Sequence, residues 1–190
     1  MDNYLWSDLK AGKKAALERI YADHASVLLK YGRKFSADSQ LVEDSLQDLF
    51  IELWKNREGL GNTDSIRKYL FVALRRKVIR AVSGSRLSSK EPEEGLFSAV
   101  FDIEQEIIGE ETEAEQRLQL QKALEGLTKR QQEILHLKYY SDLDYNQIAE
   151  IMDLNYQSAR NLAFRALEAL RDAMLLLIIG FLWMLWVKLS

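Results

Sequence analysis

The chain has 190 residues, of which 47% are hydrophobic and 29% charged, so it can form one domain or two small ones with real cores. Its net charge of −3 argues against a protein that simply coats DNA by electrostatic attraction, although the local distribution of charge matters more. The absence of cysteine excludes disulfides and thiolate metal sites, and the two histidines lie far apart, without metal-ligand spacing.

Two amphipathic helices open the chain. The scarcity of β-type alternation predicts an all-α protein, and we expect no cofactor. Helical spacing extends from Ser7 to Phe35, with His24 on the apolar stripe, where we expect a core or half-buried histidine rather than a ligand. The second helix, Gln40 to Arg57, has a wide apolar face. Ile51 and Trp54 extend that face beyond one buried stripe, which predicts a surface for a protein partner. The alternative is that the neighbouring helices cover all of it.

A third helix, Ser65 to Val82, follows a glycine-containing loop and concentrates positive charge. Between Asp64 and Arg86 there are seven basic residues and one acid, a local net charge of +6. Aromatic Tyr69 and Phe71 lie among them. Basic side chains bind phosphates and aromatic faces stack on unpaired bases, so this segment favours nucleic acid over a merely solvated basic face.

Residues 87–116 have the opposite character, with ten acids, one base and a net charge of −9. Pro92, Gly95 and Gly109 interrupt regular structure there. The composition predicts a linker between two domains. Such a linker can mimic nucleic acid in a basic channel of a partner or fold back on the preceding basic helix, and a plain solvated linker is an equal alternative.

A helix over residues 117–127 leads into a capping-box pattern formed by Thr128 and Gln131. The helix that this box opens runs from Gln131 to Tyr140. We expect His136 to lie at the surface of this helix or to be half-buried.

Two helices joined by a tight turn follow, between Asp144 and Arg171. Asp144 and Gln147 again fit a capping box, and Asp153 and Asn155 tolerate the left-handed conformation that the turn needs. This is the layout of a helix-turn-helix, in which the second helix enters a major groove. An ordinary helical hairpin is the alternative.

The C-terminal segment from Ala173 to Val187 contains no charged residue. Its 15 residues would form a helix about 22 Å long. This is shorter than the helix of roughly 20 residues that spans a bilayer. Trp183, Trp186 and Lys188 would suit a membrane interface. We expect the segment to pack on its own domain or on a partner, and membrane contact stays open as the alternative.

Three segments, in this order, resemble the extracytoplasmic-function group of RNA polymerase sigma factors over nearly the whole chain. Asp44 to Trp54 is similar to the family's D-x-x-Q-x-x-F-x-x-x-W helix, which docks on the polymerase. Ser65 to Val82 resembles the helix that melts and reads the proximal promoter element, and Leu127 to Arg171 resembles the domain that reads the distal element. Thr128 replaces the family's usual proline and Asp153 its frequent glycine, but threonine can cap and aspartate can turn.

The resemblance implies four parts of the chain. Residues 1–86 form the domain that docks on polymerase and reads the proximal element, and residues 87–116 form the acidic linker. Residues 117–172 form the helix-turn-helix domain, and residues 173–190 form an apolar C-terminal helix. The family performs no chemistry itself, so the resemblance implies a protein that is not an enzyme.

The resemblance also assigns roles to particular residues. The polymerase-binding residues are Asp44, Gln47, Asp48 and Ile51. The residues for the proximal element are Asn62, Arg67, Lys68, Tyr69, Arg75, Arg76 and Arg80. The residues for the distal element are Tyr156, Gln157, Ser158, Arg160, Asn161, Phe164 and Arg165, with Lys129 and Arg130. Arginine can pair with guanine, and asparagine or glutamine with adenine, whereas the more distant basic residues suit phosphates.

The implied partners are core RNA polymerase, promoter DNA and an anti-sigma factor. Because no secretory signal opens the sequence, the expected location is the cytoplasm, with membrane association through the tail as an option. Two other classes stay open, a helix-turn-helix regulator that does not dock on polymerase and a membrane-associated helical adaptor. The Asp44–Trp54 segment counts against the first, and the +6 helix beside the −9 linker counts against the second.

Overall fold

A computed structural model describes residues 2–85, 96–98 and 119–189, with only the backbone described for residue 85 and for residues 176–189. Every regular element in these ranges is helical, which confirms the predicted all-α class. The elements are α1 (Asp2–Lys10), α2 (Lys14–Gly32), α3 (Ser39–Lys55), α4 (Ile66–Ser85), α5 (119–125), α6 (Lys129–Leu135), α7 (Tyr145–Ile151) and α8 (Tyr156–Leu189). A 3₁₀ turn, Arg57–Gly59, follows α3, and a π-helical turn, His136–Tyr140, follows α6.

The N-terminal segment forms two helices, so the prediction of one helix from Ser7 to Phe35 is wrong. Gly12 separates them with φ at +78°, a left-handed conformation that glycine adopts without the penalty of a Cβ atom. The break lets α1 pack against α2 and bury Trp6 and Leu9. Trp6 also donates a hydrogen bond of 2.8 Å to the carbonyl of Gly61 in the loop before α4.

Helices α2, α3 and α4 pack on one another and form the core of the first half of the molecule. Gly32, at the end of α2, permits the close approach of α3, since a Cβ atom there would lie 2.6 Å from Val42 Cγ1. Asp38 caps α3 by accepting a hydrogen bond of 3.1 Å from the Leu41 amide. The α3 cap and the close α2–α3 contact fix which face of α3 remains outside.

The second half contains the predicted helix-turn-helix. Both predicted capping boxes are present, Thr128 with Gln131 at the start of α6 and Asp144 with Gln147 at the start of α7. Asp153 has φ at +53°, as the turn prediction requires. Small alanines of α8 are buried, at positions Ala159, Ala163 and Ala166, and α8 packs against both α6 and α7. They permit a close approach of these helices and leave the opposite face of α8 in solvent.

Of the predicted linker, residues 87–116, the structure describes only residues 96–98, of which Phe97 is buried and its two neighbours are half-buried. Phe97 is 2% exposed, with its ring centroid 5.2 Å from Phe35 and 5.7 Å from His136. The Ser98 amide donates a hydrogen bond of 2.6 Å to the carbonyl of Lys34. At this point the segment is anchored to the core, and the rest of the predicted acidic linker lies outside the described residues.

The backbone of α8 continues without interruption to Leu189, so the predicted C-terminal helix is an extension of the second helix of the helix-turn-helix. Among residues with described side chains, no helix has the length and apolar character that crossing a membrane requires. Of the predicted tail, only the side chains of residues 173–175 are described, and Leu175 is exposed. The packing predicted for the rest of the tail concerns side chains outside the described part of the chain.

Candidate polymerase and nucleic-acid interfaces

The four residues predicted to bind polymerase form one exposed strip along α3. Asp44, Gln47, Asp48 and Ile51 follow helical spacing, and all four side chains face solvent. Ile51 is 48% exposed, whereas its neighbours Leu49, Phe50 and Leu53 are buried. The strip therefore offers an apolar side chain beside carboxylate and amide groups, which suits a protein partner better than nucleic acid.

Trp54 contributes less to this strip than the sequence suggested. Its ring is half-buried, and the guanidinium carbon of Arg57 lies 4.6 Å from the ring centroid. Arg57 Nη1 also donates a hydrogen bond of 2.9 Å to the carbonyl of Trp54. The apolar surplus predicted for α3 is thus concentrated at Ile51.

The basic residues of α4 fall into two groups. Arg76 and Arg80 are exposed, whereas Arg67 is half-buried and Lys68, Arg75 and Lys77 are largely covered, with 13%, 15% and 22% of their side chains exposed. Lys77 Nζ lies 2.7 Å from Glu52 Oε1 of α3. Only part of the predicted +6 charge therefore faces solvent in this conformation.

Lys68 is held by two carboxylates. Its Nζ lies 2.7 Å from Asp64 Oδ1 and 3.0 Å from Glu150 Oε1 of α7. Burial disfavours the ammonium, but the hydrogen bonds that it donates to Asp64 and Glu150, together with the charges of these carboxylates, outweigh burial and raise the pKa of Lys68. The hydrogen bond and charge of Lys68 in turn lower the pKa of Asp64.

The two aromatic residues of α4 differ in accessibility. Tyr69 is half-buried, with its ring centroid 5.0 Å from that of Trp6 in an edge-on arrangement. Phe71 is 1% exposed and packs 4.9 Å from the ring of Tyr31, so the prediction that it stacks on bases is wrong. Its helical position places it beside Leu70 and Leu74, on the core face.

The loop before α4 lies next to α1. Asn62 is exposed, and its side-chain carbonyl accepts a hydrogen bond of 3.4 Å from Lys10 Nζ. Lys10 was not among the predicted site residues, because one lysine on the polar side of a helix carries no specific signal. The contact adds a basic group to the surface around the loop.

The predicted distal-element residues lie at the solvent side of α8. Arg160, Asn161 and Arg165 are exposed, Phe164 is 61% exposed and Ser158 is half-buried. Gln157 and Asn161 share a hydrogen bond of 3.4 Å, and the Arg160 guanidinium lies 5.9 Å from the Tyr156 ring. The first turns of α8 therefore present donors, acceptors and an aromatic ring on one face, a combination that can read base edges in a groove.

The two basic residues predicted at the start of α6 have different surroundings. Lys129 is exposed, whereas Arg130 donates a hydrogen bond of 3.3 Å from Nη2 to the carbonyl of Met152 at the end of α7. Arg130 therefore ties α6 to the turn of the helix-turn-helix. This bond orients the turn that positions α8.

His136 is buried, with 9% of the residue exposed, so the expected surface or half-buried position is wrong. Its ring stacks on Tyr31 of α2 at 5.9 Å and on Tyr140 at 5.4 Å. Burial, and then the charge of Lys34, lower the pKa of His136 to about 4. Local periodicity gave no sign of this environment, because Tyr31 and Phe97 come from distant parts of the chain.

Glu133 is a second residue that sequence reasoning missed. It is 2% exposed, and its carboxylate meets Arg75 and Tyr31 of the first half. Burial and the neighbouring Glu133 carboxylate raise the pKa of Tyr31 well above its ordinary value. Within the described ranges no three histidine, aspartate or glutamate side chains come together in a way that could hold a metal ion.

Two family models match the chain, in an order that agrees with the two halves of the structure. Residues 20–87 match sigma-70 region 2, and residues 117–170 match sigma-70 region 4. The chain is 26% identical over 174 residues to the ECF RNA polymerase sigma factor SigL of Mycobacterium tuberculosis, covering 87% of this chain and 92% of the relative. It is 24% identical over 177 residues to SigK of Mycobacterium ulcerans, covering 90% and 92%.

Two solved structures share the fold. CnrH in complex with the cytosolic domain of CnrY has a TM-score of 0.60 at 17% identity, over 90% of this chain and 95% of the other. The sigma factor RpoE in complex with the anti-sigma factor NepR, from Bartonella quintana, has a TM-score of 0.54 at 21% identity, over 85% and 95%. At these identities the likeness is one of fold.

Proposed function

The chain belongs to the extracytoplasmic-function group of RNA polymerase sigma factors, and we propose how its exposed surfaces divide the work of that group. As a sigma factor it binds core RNA polymerase and directs it to promoter DNA for the initiation of transcription. The observation that carries this conclusion is the occurrence of regions 2 and 4, in that order, over residues 20–87 and 117–170.

The exposed strip of α3 is the proposed docking surface for core polymerase. Ile51 supplies apolar contact, and the flanking Gln47 and Asp48 supply polar groups that set the register of the partner. Because Leu49, Phe50 and Leu53 already fill the core, the strip makes only surface contacts within the fold. Asp48 Oδ2 lies 4.0 Å from Lys77 Nζ, and Asp44 accepts a hydrogen bond of 2.8 Å from Gln40. The side chains of the strip can therefore bind a partner without disturbing the domain.

Helix α4 and the loop around Asn62 form the proposed surface for the proximal promoter element. The exposed Arg76 and Arg80 are available to phosphates, and Lys68 and Arg75 lie on the same helix. Positively charged side chains with one accessible aromatic ring, Tyr69, suit a separated strand better than a closed duplex. The polymerase carries out the chemistry, while this surface holds the strand.

The first turns of α8 form the proposed reading surface for the distal element. The face that includes Gln157, Arg160 and Asn161 is exposed, and the buried alanines behind it fix its orientation. Helix-turn-helix proteins place such a face in the major groove. Lys129 and Arg165 are the basic groups that would contact the flanking phosphates.

We also propose that the chain is controlled by an anti-sigma factor and acts with polymerase in the cytoplasm. The RpoE relative of the same fold was solved in complex with the anti-sigma factor NepR. The exposed α3 strip and the exposed face of α8 are surfaces that such a protein could cover. Isolation of the tagged chain from its own cells would recover either polymerase subunits or this second partner.

The docking proposal is tested by reconstitution with purified core polymerase. The Gln47→Ala, Asp48→Lys double variant should weaken the complex, because it removes an amide and reverses a charge on the exposed strip of α3. The Glu18→Lys variant is the matched control, since it reverses an exposed charge on α2, away from the strip. Equal retention of both variants on immobilised core polymerase would contradict the docking surface. A helix-turn-helix regulator that acts alone would show no retention of the unaltered chain.

A further inference from the structure

One side of α1 is bonded to the loop of residues 60–65, which leads into α4. Trp6 Nε1 donates a hydrogen bond of 2.8 Å to the carbonyl oxygen of Gly61. Lys10 Nζ donates a hydrogen bond of 3.4 Å to Oδ1 of Asn62, the next residue. Trp6 and Lys10 are four positions apart in the helix, so their side chains leave α1 on the same side. The middle of the loop is therefore attached to α1 at two successive residues.

The same side of α1 also reaches the start of α4. Asp2, four positions before Trp6, accepts a hydrogen bond of 3.3 Å at Oδ2 from the backbone amide of Ile66. Ile66 is the first residue of α4, and the amides of a first helical turn have no partner within their own helix. A carboxylate near this end is also favoured by the helix dipole. Asp2 therefore stabilises the point at which the loop enters α4.

Trp6 connects the loop with the aromatic ring that α4 offers to DNA in the proposed function. Trp6 is 3% exposed, and its ring centroid lies 5.0 Å from that of Tyr69 in an edge-on arrangement. The same indole thus contacts the carbonyl of Gly61 through its N–H group and Tyr69 through its ring. Because this indole is rigid and buried, it fixes the positions of the loop and of Tyr69 relative to each other.

The loop has open space beside it and a polar side chain with a defined orientation. In the described part of the chain, a Cβ atom added at Gly61 would have no neighbour within 4 Å beyond the adjacent residues. Asn62 is exposed. Because a lysine ammonium only donates, its contact with Lys10 requires the oxygen of the Asn62 amide and turns the N–H2 group to another side. A base that reaches Asn62 therefore meets hydrogen-bond donors and must supply an acceptor.

We propose that α1 positions the loop of residues 60–65 for one unpaired base of the proximal element and so determines which base is accepted. The inference rests on the proposed role of α4 and this loop in binding that element. Trp6 keeps the loop beside Tyr69, on whose ring a base can stack. Lys10 orients the amide of Asn62, which then donates to one edge of the same base. Trp6 and Lys10 are positioning residues, since they act through the loop and not by contact with DNA.

Two substitutions in α1, each with a matched control, test this role. Trp6→Phe keeps an aromatic ring in the core but removes the N–H group that binds the loop carbonyl. Tyr4→Phe is its control, because it removes a polar hydrogen from another aromatic residue of α1, which is 83% exposed. Lys10→Met removes the ammonium that orients the loop amide. Lys14→Met is its control, because it removes an exposed lysine at the start of α2.

Base preference is measured with the holoenzyme of core polymerase and the full chain. The probe is a pool of single-stranded DNA with a randomised centre, and the bound fraction is sequenced. The compared quantity is the ratio between the most and the least enriched base at each position. Trp6→Phe should reduce this ratio about twofold to tenfold at one position, the range that the loss of one hydrogen bond gives.

Lys10→Met should give a smaller reduction at the same position, because its bond to Asn62 is longer and lies at the surface. Tyr4→Phe and Lys14→Met should keep the ratio of the unaltered chain. A merely structural role of α1 would lower the fraction of active protein and weaken binding to all sequences alike, which leaves the ratio unchanged. If circular dichroism shows that Trp6→Phe has lost helix, Lys10→Met decides alone.

The outcomes separate failure of the positioning from failure of the proposed function. A ratio that stays unchanged in folded Trp6→Phe and in Lys10→Met would overturn the inference and leave the proposed function of the loop and α4 standing. Asn62→Ala tests the loop itself and should abolish the preference. No preference with the unaltered chain, or the same preference with Asn62→Ala, would overturn the assignment of the loop to the proximal element, and the inference with it.

Discussion

Arg160 and Arg165 lie on the exposed side of α8 but have different tasks in the proposed function. Arg160 is in the second turn, next to the Tyr156 ring and the hydrogen-bonded pair Gln157 and Asn161. Arg165 is more than one turn further along the helix. The N-terminal turns of a recognition helix reach base edges, whereas basic groups further along contact the backbone. The two arginines therefore form a matched pair for separating sequence reading from phosphate binding.

Arg160→Ala should lower the affinity for the preferred distal element by roughly 1–3 kcal/mol and relax the preference at one or two base pairs. Arg165→Ala should weaken binding to all sequences alike and reduce its salt dependence, because one phosphate contact is lost. Selection from randomised promoters with the holoenzyme, followed by binding assays over a range of salt, distinguishes the two. An unchanged consensus for Arg160→Ala would assign the reading to another residue.

At the scale of the helices, local sequence patterns were sufficient to predict the features that depend on residues close together in the chain. The capping boxes at Thr128 and Asp144 and the left-handed Asp153 involve groups within a few residues, and the structure has all three. The break at Gly12 was not predicted, because apolar spacing continues on both sides of it. The glycine itself was the one local sign of a break between two helices. The exposed faces of α3 and α8 follow from helical periodicity alone.

The contacts between the halves could not be predicted in this way. Tyr31 and Glu133 are 102 residues apart, and no periodicity within α2 or α6 indicates that they meet. The buried position of His136 depends on the same packing. The sequence places the basic residues on one helix, α4, but it could not show that Lys68 and Arg75 are covered by acids of α7 and α6.

The burial of His136 predicts a loss of stability on acidification. Its pKa is about 4 in the folded protein against 6.5 for the free side chain, so the unfolded state binds the proton more strongly. The contribution of this residue to the free energy of unfolding is complete above about pH 6.5 and falls as the pH drops toward 4. The total loss reaches a limit of roughly 3 kcal/mol. Urea unfolding near pH 7.5 and near pH 5 should show the loss.

His136→Phe should remove most of the pH dependence between these two conditions, because the stacking ring remains but no longer titrates. His24→Phe is the comparison, because it alters the other histidine of the chain. Burial, and then the charge of Arg67, lower the pKa of His24 as well, so this variant should remove another part of the pH dependence. A pH dependence that survives in His136→Phe would contradict the assignment.

For the molecule as a whole, the proposed function places two DNA-binding surfaces of different kinds in one chain with a net charge of −3. The basic helix α4 is partly neutralised by acids of the second half, and the reading face of α8 is free. The proposed docking strip of α3 borders α4, where Asp48 Oδ2 lies 4.0 Å from Lys77 Nζ, but Arg76 and Arg80 of α4 and the proposed reading face of α8 stay exposed. In the proposed function, polymerase and the proximal element therefore use neighbouring surfaces of the first half.

The most direct test of this account is transcription by core polymerase on genomic DNA from the organism that encodes the chain. Transcripts made with and without the purified chain are mapped at their 5′ ends. The account predicts start sites that depend on the chain and share a two-part upstream motif, whose distal part changes with Arg160→Ala. The same start sites without the chain, or sequence-specific DNA binding with no effect on core polymerase, would contradict it.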